Sequence, residues 1–160
     1  MTIVPKLTTV AACRVARLDR DRFNEHVAAG RFGCAPSTVP GRARLFDPDD
    51  MIALCLFSDL LEDGIAVNQA GHIACEVARA AREHPEAQAI SYVRSTTVQS
   101  GFSADSAAIP AGSVPEPSTW NKTLFHGGLI EKVTTFNVWQ MRQRIAHRTE
   151  EERSIIGEVD

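Results

Sequence analysis

Apolar residues recur at helical spacing through most of the first half of the chain. Thr8 or Thr9 can cap a helix over Val10 to Ala16, its hydroxyl accepting a backbone N–H that would otherwise be unpaired, with Val10, Cys13 and Ala16 facing inward. Arg17-Leu18-Asp19 then makes a tight turn. Asp19 is the next cap, opening a second helix over Arg20 to Ala29 that Gly30 ends in the left-handed conformation. Phe23 and Val27, four apart, form its apolar stripe and leave Arg20, Asp21, Arg22, Asn24 and Glu25 around the polar side. A helix, a tight turn and a polar second helix make the helix-turn-helix layout.

Gly33 to Gly41 is rich in turn-formers, and Arg42-Ala43-Arg44-Leu45-Phe46 alternates polar and apolar as a half-buried strand does. The pattern predicts a hairpin with its arginines on one face. Asp47-Pro48-Asp49-Asp50 is the strongest helix start in the chain: an aspartate cap, proline at the first helical position, and acids opposing the dipole. That helix runs to about Glu62 and stops at Gly64. Met51, Leu54, Cys55, Phe57, Leu60 and Leu61 cover more than one of its faces, which predicts the central core helix. A further helix runs from about Asn68 to His84, with Ala70, Ile73, Ala74, Val77 and Ala81 as its stripe and Pro85 as its end.

Beyond Pro85 the pattern changes. Ala89 to Arg94 reads as a strand, residues 95–128 as a long Ser-, Pro- and Gly-rich loop, and Leu129 to Phe136 as a second strand. Val138 to Arg148 is a helix with Val138, Met141 and Ile145 in line, followed from Glu150 by an acidic tail that frays. Two strands and one helix are too little to be stable alone, so this part must pack on the first or pair with another chain. The fold class expected is mainly α with small β, divided into a domain over 1–84 and a small α+β region over 85–160.

Charge changes the picture more than composition does. The chain as a whole carries a net charge of -3, which argues against a nucleic-acid partner. Met1 to Phe46, however, holds eight basic residues (Lys6, Arg14, Arg17, Arg20, Arg22, Arg31, Arg42, Arg44) against three acidic ones (Asp19, Asp21, Glu25), a local charge of +5. The remainder holds 9 basic and 17 acidic residues, or -8. One end is thus suited to meet a polyanion while the other stays clear of it. The bland alternative is a cluster of solvated arginines.

The longest apolar run, Met51 to Phe57, is seven residues, against roughly 20 for a bilayer span. The first residues lack the charged start and apolar core of a secretory signal, so a reducing cytoplasm is the expected location. Cys13, Cys34, Cys55 and Cys75 form no C-x-x-C pair and read as single buried thiols rather than disulfides or a zinc site. His72 and Cys75, one helical turn apart, offer two soft ligands, but two do not make a metal site, and a core or interface role is favoured. No enzyme signature is found: His126-Gly127-Gly128 lacks a G-x-S-x-G and reads as a turn, and Trp120 and Trp139 read as packing anchors.

The first 84 residues resemble the winged helix-turn-helix domain of the MerR family of bacterial regulators. The resemblance is carried by Leu7-Thr8-Thr9-Val10-Ala11, by Leu18-Asp19-Arg20 and Phe23, and by Gly30-Arg31-Phe32. It is strongest over Gly41-Arg42-Ala43-Arg44-Leu45-Phe46-Asp47-Pro48-Asp49-Asp50-Met51 and at Leu60-Leu61-Glu62-Asp63-Gly64-Ile65. Asn24-Glu25-His26 stands where the family often has paired aromatics, Ala66 stands where it usually has a capping serine, and after His84 the resemblance ends.

What the resemblance implies is a sequence-specific transcriptional regulator without a cofactor or metal. Its partners would be double-stranded DNA, a second copy bound through the C-terminal region, and RNA polymerase. The expected DNA-binding residues are Thr9, Arg17, Arg20, Arg22, Asn24, Arg42 and Arg44. Arg20, Arg22 and Asn24 open a recognition helix, where arginine pairs with guanine and asparagine with adenine. Arg42 and Arg44 would reach phosphates or a minor groove from the wing, and Thr9 would offer a helix N-terminus to phosphate. The competing readings are a phage excisionase or small terminase subunit, and a module whose arginines bind an acidic protein partner.

Overall fold

A computed structural model describes residues 6–97 and 106–156, with side chains to residue 153. Helix takes about 51% of the described residues and strand about 18%, an α plus β fold whose sheets are small. The N-terminal half runs β1 (Leu7–Thr8), α1 (Thr9–Ala16), α2 (Arg20–Ala28), β2 (Leu45–Phe46), α3 (Pro48–Glu62) and α4 (Val67–Glu83). β1 and β2 pair antiparallel, Leu7 opposite Phe46 and Thr8 opposite Leu45.

Local chemistry accounts for the helix ends. Thr8 caps α1 by accepting from the Ala11 N–H, and Asp19 caps α2 by accepting from the Arg22 N–H at 2.8 Å. Asp47 and Asp50 form a reciprocal capping box at the start of α3, each side chain accepting from the other's backbone N–H at 2.8 and 2.9 Å. Arg82 from the far end of α4 donates to both carboxylates, at 2.9 Å to Asp47 and 3.1 Å to Asp50. Burial alone would raise the Asp47 carboxyl, but the hydrogen bonds from Arg82 and the Asp50 backbone outweigh it and hold it below its usual range. At α1 the inward face is Ala12, Cys13, Val15 and Ala16, whereas Val10, expected inside, is 38% exposed.

The C-terminal half contains β3 (Ile90–Ser95), β4 (Ala107–Pro110), a 3₁₀ turn over Pro117–Lys122, β5 (Leu124–Phe125), β6 (Gly128–Phe136) and α5 (Val138–Ile156). The strands form one antiparallel sheet in the order β4-β3-β6-β5. Residues 95–128 are therefore not one loop: two strands and a 3₁₀ turn lie within them. β4 is only four residues and has no clear polar alternation, so its pattern could not announce it. His126 and Gly127 form a two-residue hairpin turn, both with positive φ (49° and 85°), joining β5 to β6.

α5 also departs from expectation. Residues 150–156 continue the helix rather than fraying, because the end of α5 lies on α1, where Arg14 pairs with Glu152 at 3.2 Å and Arg148 donates to the Val15 carbonyl at 3.3 Å; the rest of the expected tail, 157–160, lies outside the described residues. One continuous set of buried apolar side chains extends from Leu7 to Ile145. α3 sits at its centre, packed against α1, α4 and α5, while α4 covers β3 and β4. The C-terminal half thus meets its need for partners by packing on the N-terminal half.

Candidate nucleic-acid interface

The charged surface is hung on the core by phenylalanine. Phe23 is the single buried side chain of α2. Its ring meets Phe32 edge-on at 5.3 Å and Phe46 at 6.1 Å, and Phe32 meets Phe57 of α3 at 5.1 Å. These four rings, each at most 2% exposed, tie α2, the segment after it, β2 and α3 together. Phe23 points inward, while Arg20, Arg22 and Asn24 are all exposed. Arg20 and Asn24, four apart, share one side of the helix and Arg22 lies on the other. Arg20 also contacts Asp21 at 3.4 Å, an exposed pair worth little in water.

Three residues, Arg17 to Asp19, join α1 to α2. Arg17 adopts φ 59° at the end of α1, with its backbone N–H donating to the Arg14 carbonyl at 3.2 Å. Its side chain is exposed. At the other end of α2, Gly30 takes φ 76° and the Arg31 N–H closes the helix on the His26 carbonyl at 2.9 Å. The Arg31 guanidinium lies 3.2 Å from Nδ1 of His26. A guanidinium can only donate, so Nδ1 must accept, and the imidazole is held neutral. Burial first, and the Arg31 charge second, lower the His26 pKa.

The expected hairpin over 33–46 is not formed. Strand is confined to Leu45–Phe46, and its partner is Leu7–Thr8 rather than residues 33–41. Pro36, Pro40 and two glycines leave the segment too few pairable N–H groups and too many turn-formers for a ladder. It closes instead on a turn in which the Arg42 N–H donates to the Val39 carbonyl at 2.9 Å, with Gly41 at φ 80°. Arg42 is exposed and Arg44 half-buried. They are not on a strand, so the shared face argued from period-two spacing does not hold. The β1–β2 ladder, with Leu7 opposite Phe46 and Thr8 opposite Leu45, instead places Arg44 directly before the strand that pairs with the residues leading into α1.

No family model matches the chain. No curated protein matches it either.

The cysteines differ most from the sequence reading. Cys34 and Cys75 form a disulfide, with Cα atoms 5.6 Å apart and a separation of 41 positions in sequence. Cys13 and Cys55 are free and buried, and burial pushes each thiol up to about 11. Cys75 is thereby bonded, and His72 rests edge-on against Tyr92 at 6.2 Å. One turn before Cys75, Gly71 is buried where a Cβ would land on the Arg31 carbonyl. α4 therefore holds the segment that follows α2 at two successive turns, by close approach at Gly71 and by a bond at Cys75. The spacing of Gly71 and Cys75 on one helix face was visible in the sequence, but their partners 40 residues upstream were not.

Proposed function

We propose that this chain binds double-stranded DNA as a sequence-specific transcriptional regulator, with a MerR-like winged helix-turn-helix as its reading domain. The observation that carries the reading is the α1–turn–α2 unit. A three-residue connection joins the helices, and α2 turns Phe23 inward while exposing Arg20, Arg22 and Asn24 from its first turns. Side chains there reach base edges when such a helix enters a major groove, and the remaining cations serve phosphates. Thr9, at the positive end of α1, suits one phosphate, and Arg44, Arg42 and Arg17 suit others. The segment over 33–44 acts as the wing in the form of an exposed loop.

A module of this size covers too little DNA for tight specific binding by itself, so a second copy is required. The C-terminal region supplies the contact. Leu124 and Leu129 are cross-strand partners that are both exposed, and Trp139 is 54% exposed on α5. RNA polymerase is the further partner in this reading.

The test is a salt-controlled shift assay with genomic fragments, comparing the native chain with the Arg42→Ala, Arg44→Ala double variant. Removing two arginine–phosphate pairings should flatten the log–log salt dependence by about 1.8, at about 0.9 for each. An unchanged slope and affinity would favour a module whose arginines bind an acidic protein. Immunoprecipitation across the genome then separates a regulator, enriched at promoters, from a packaging or excision factor, enriched at phage ends or attachment sites.

A further inference from the structure

We infer that the Cys34–Cys75 disulfide is a reducible clamp on the loop over 33–44, and that its state sets how well the chain holds DNA. The second half of this statement rests on the DNA-binding reading; the first does not. Every residue from Ser37 to Ala43 is exposed, so the loop has little packing of its own. What fixes its course is its two ends. At the far end is the two-residue β2, and at the near end are the bond to Cys75 and the packing of Ala35 against the core. Arg42 and Arg44 lie between these ends, so the freedom of the loop is the freedom of both cations.

The four cysteines divide by access. Cys13 and Cys55 are each 1% exposed, and their raised pKa leaves almost no thiolate near neutral pH. The bridge is half-exposed and borders two open clefts. The one, of about 440 Å³, is lined by Gly33, Gly71 and Cys75, and the other, of about 350 Å³, by Cys34, Cys75 and Arg79. A small dithiol has a path to the sulfurs that it lacks at the buried thiols. Its thiolate attacks one sulfur of the bridge, the S–S bond breaks, and the other cysteine leaves as a thiolate. The second thiol of the reductant then displaces the mixed disulfide. Two electrons and two protons pass to the protein, leaving two cysteine thiols, and the reductant departs as a disulfide.

Reduction does not release α2 itself. Phe23, Phe32 and the close approach at Gly71 hold its position independently of the sulfurs. The predicted change is therefore confined to the loop.

Hydrogen exchange and a shift assay on the full chain, with and without dithiothreitol, test the two halves separately. Reduction should speed amide exchange over 33–44 while leaving α3 unchanged, and should weaken retention of double-stranded DNA roughly fivefold through the cost of ordering the freed arginines. The Cys34→Ser, Cys75→Ser double variant should behave as the reduced chain under both conditions. Where that variant folds poorly, the reduced native chain carries the same comparison. Four free thiols in the untreated chain, or identical exchange over 33–44 in both states, overturns the clamp. Altered exchange with equal retention of DNA overturns the control of affinity while leaving DNA binding intact. Altered exchange with no retention by either form overturns the DNA reading and with it the control of affinity, but leaves the clamp standing.

Discussion

α3 buries Met51 through Phe57 and Leu60, whereas α2, nine residues long, buries Phe23 alone. The first is enclosed by α1, α4 and α5, and the second lies at the edge of the same core, touching it through the Phe23 ring, the partly buried Val27 and His26 against Phe57. The contrast separates two tasks that one chain must perform. Cohesion is concentrated where charge is absent, and the cations are carried on elements that contribute little to cohesion. On the proposed reading the second surface faces a polyanion, and such a surface cannot also be the hydrophobic centre, because desolvating unpaired arginines costs more than their stems return. The two regions should therefore respond differently to substitution.

The largest effect is expected at the joint between them. Phe57→Ala removes a fully buried ring that touches both Phe32 and His26, and should cost about 3–5 kcal/mol in urea unfolding. A loss under about 1 kcal/mol would mean that the core does not depend on this contact. Gly71→Ala comes next. Alanine is the better helix former by about 1 kcal/mol, yet its Cβ meets the Arg31 carbonyl, so the segment after α2 must shift at a cost of about 1–3 kcal/mol. A raised melting temperature would show that the close approach is not maintained.

Acidification should act more gently. The folded-state pKa values of His26 and His72 are lowered, chiefly by burial. Between those values and the ordinary histidine value of 6.5, the unfolded chain binds more protons than the folded one. Stability contributed by the neutral imidazoles is thus full above that window and falls as pH drops through it. Thermal melts at successively lower pH should show this decline, and His26→Gln should remove the part due to His26. A melting temperature that rises on acidification would contradict the sign. Smallest of all, the Arg42→Ala, Arg44→Ala variant should unfold within about 0.5 kcal/mol of the native chain, even where it loses DNA. Substantial destabilisation would erase the division of labour between the two regions.

Much of the helical framework was legible in the chain because helix ends are local chemistry. Asp19, Asp47 and Gly30 act within four residues of themselves, and the structure uses each as its sequence context predicts. The stripe of α4 and the all-round burial of α3 were legible for a similar reason: periodicity reports burial directly. Strand pairing was harder. β2 is visible as an alternating segment, but the pattern points to the adjacent turn-rich stretch as its partner, and the partner is β1, the best part of 40 residues away. β4 and β5 are four and two residues long, too short for alternation to rise above chance.

By itself, the sequence determined the order of the five helices and, to within a residue or two, the limits of the first four, together with the inward turn of Phe23 and the concentration of cations in the first 46 residues. All of these depend on neighbours within a few positions. Tertiary structure alone decided which cysteines bond, that Gly71 admits the Arg31 carbonyl, that β2 pairs with β1, and that the acidic end of α5 stays helical against Arg14. Each of those is a meeting of segments far apart in the chain. Such meetings are set by how the buried faces pack around α3, and a local pattern records the face but not its partner.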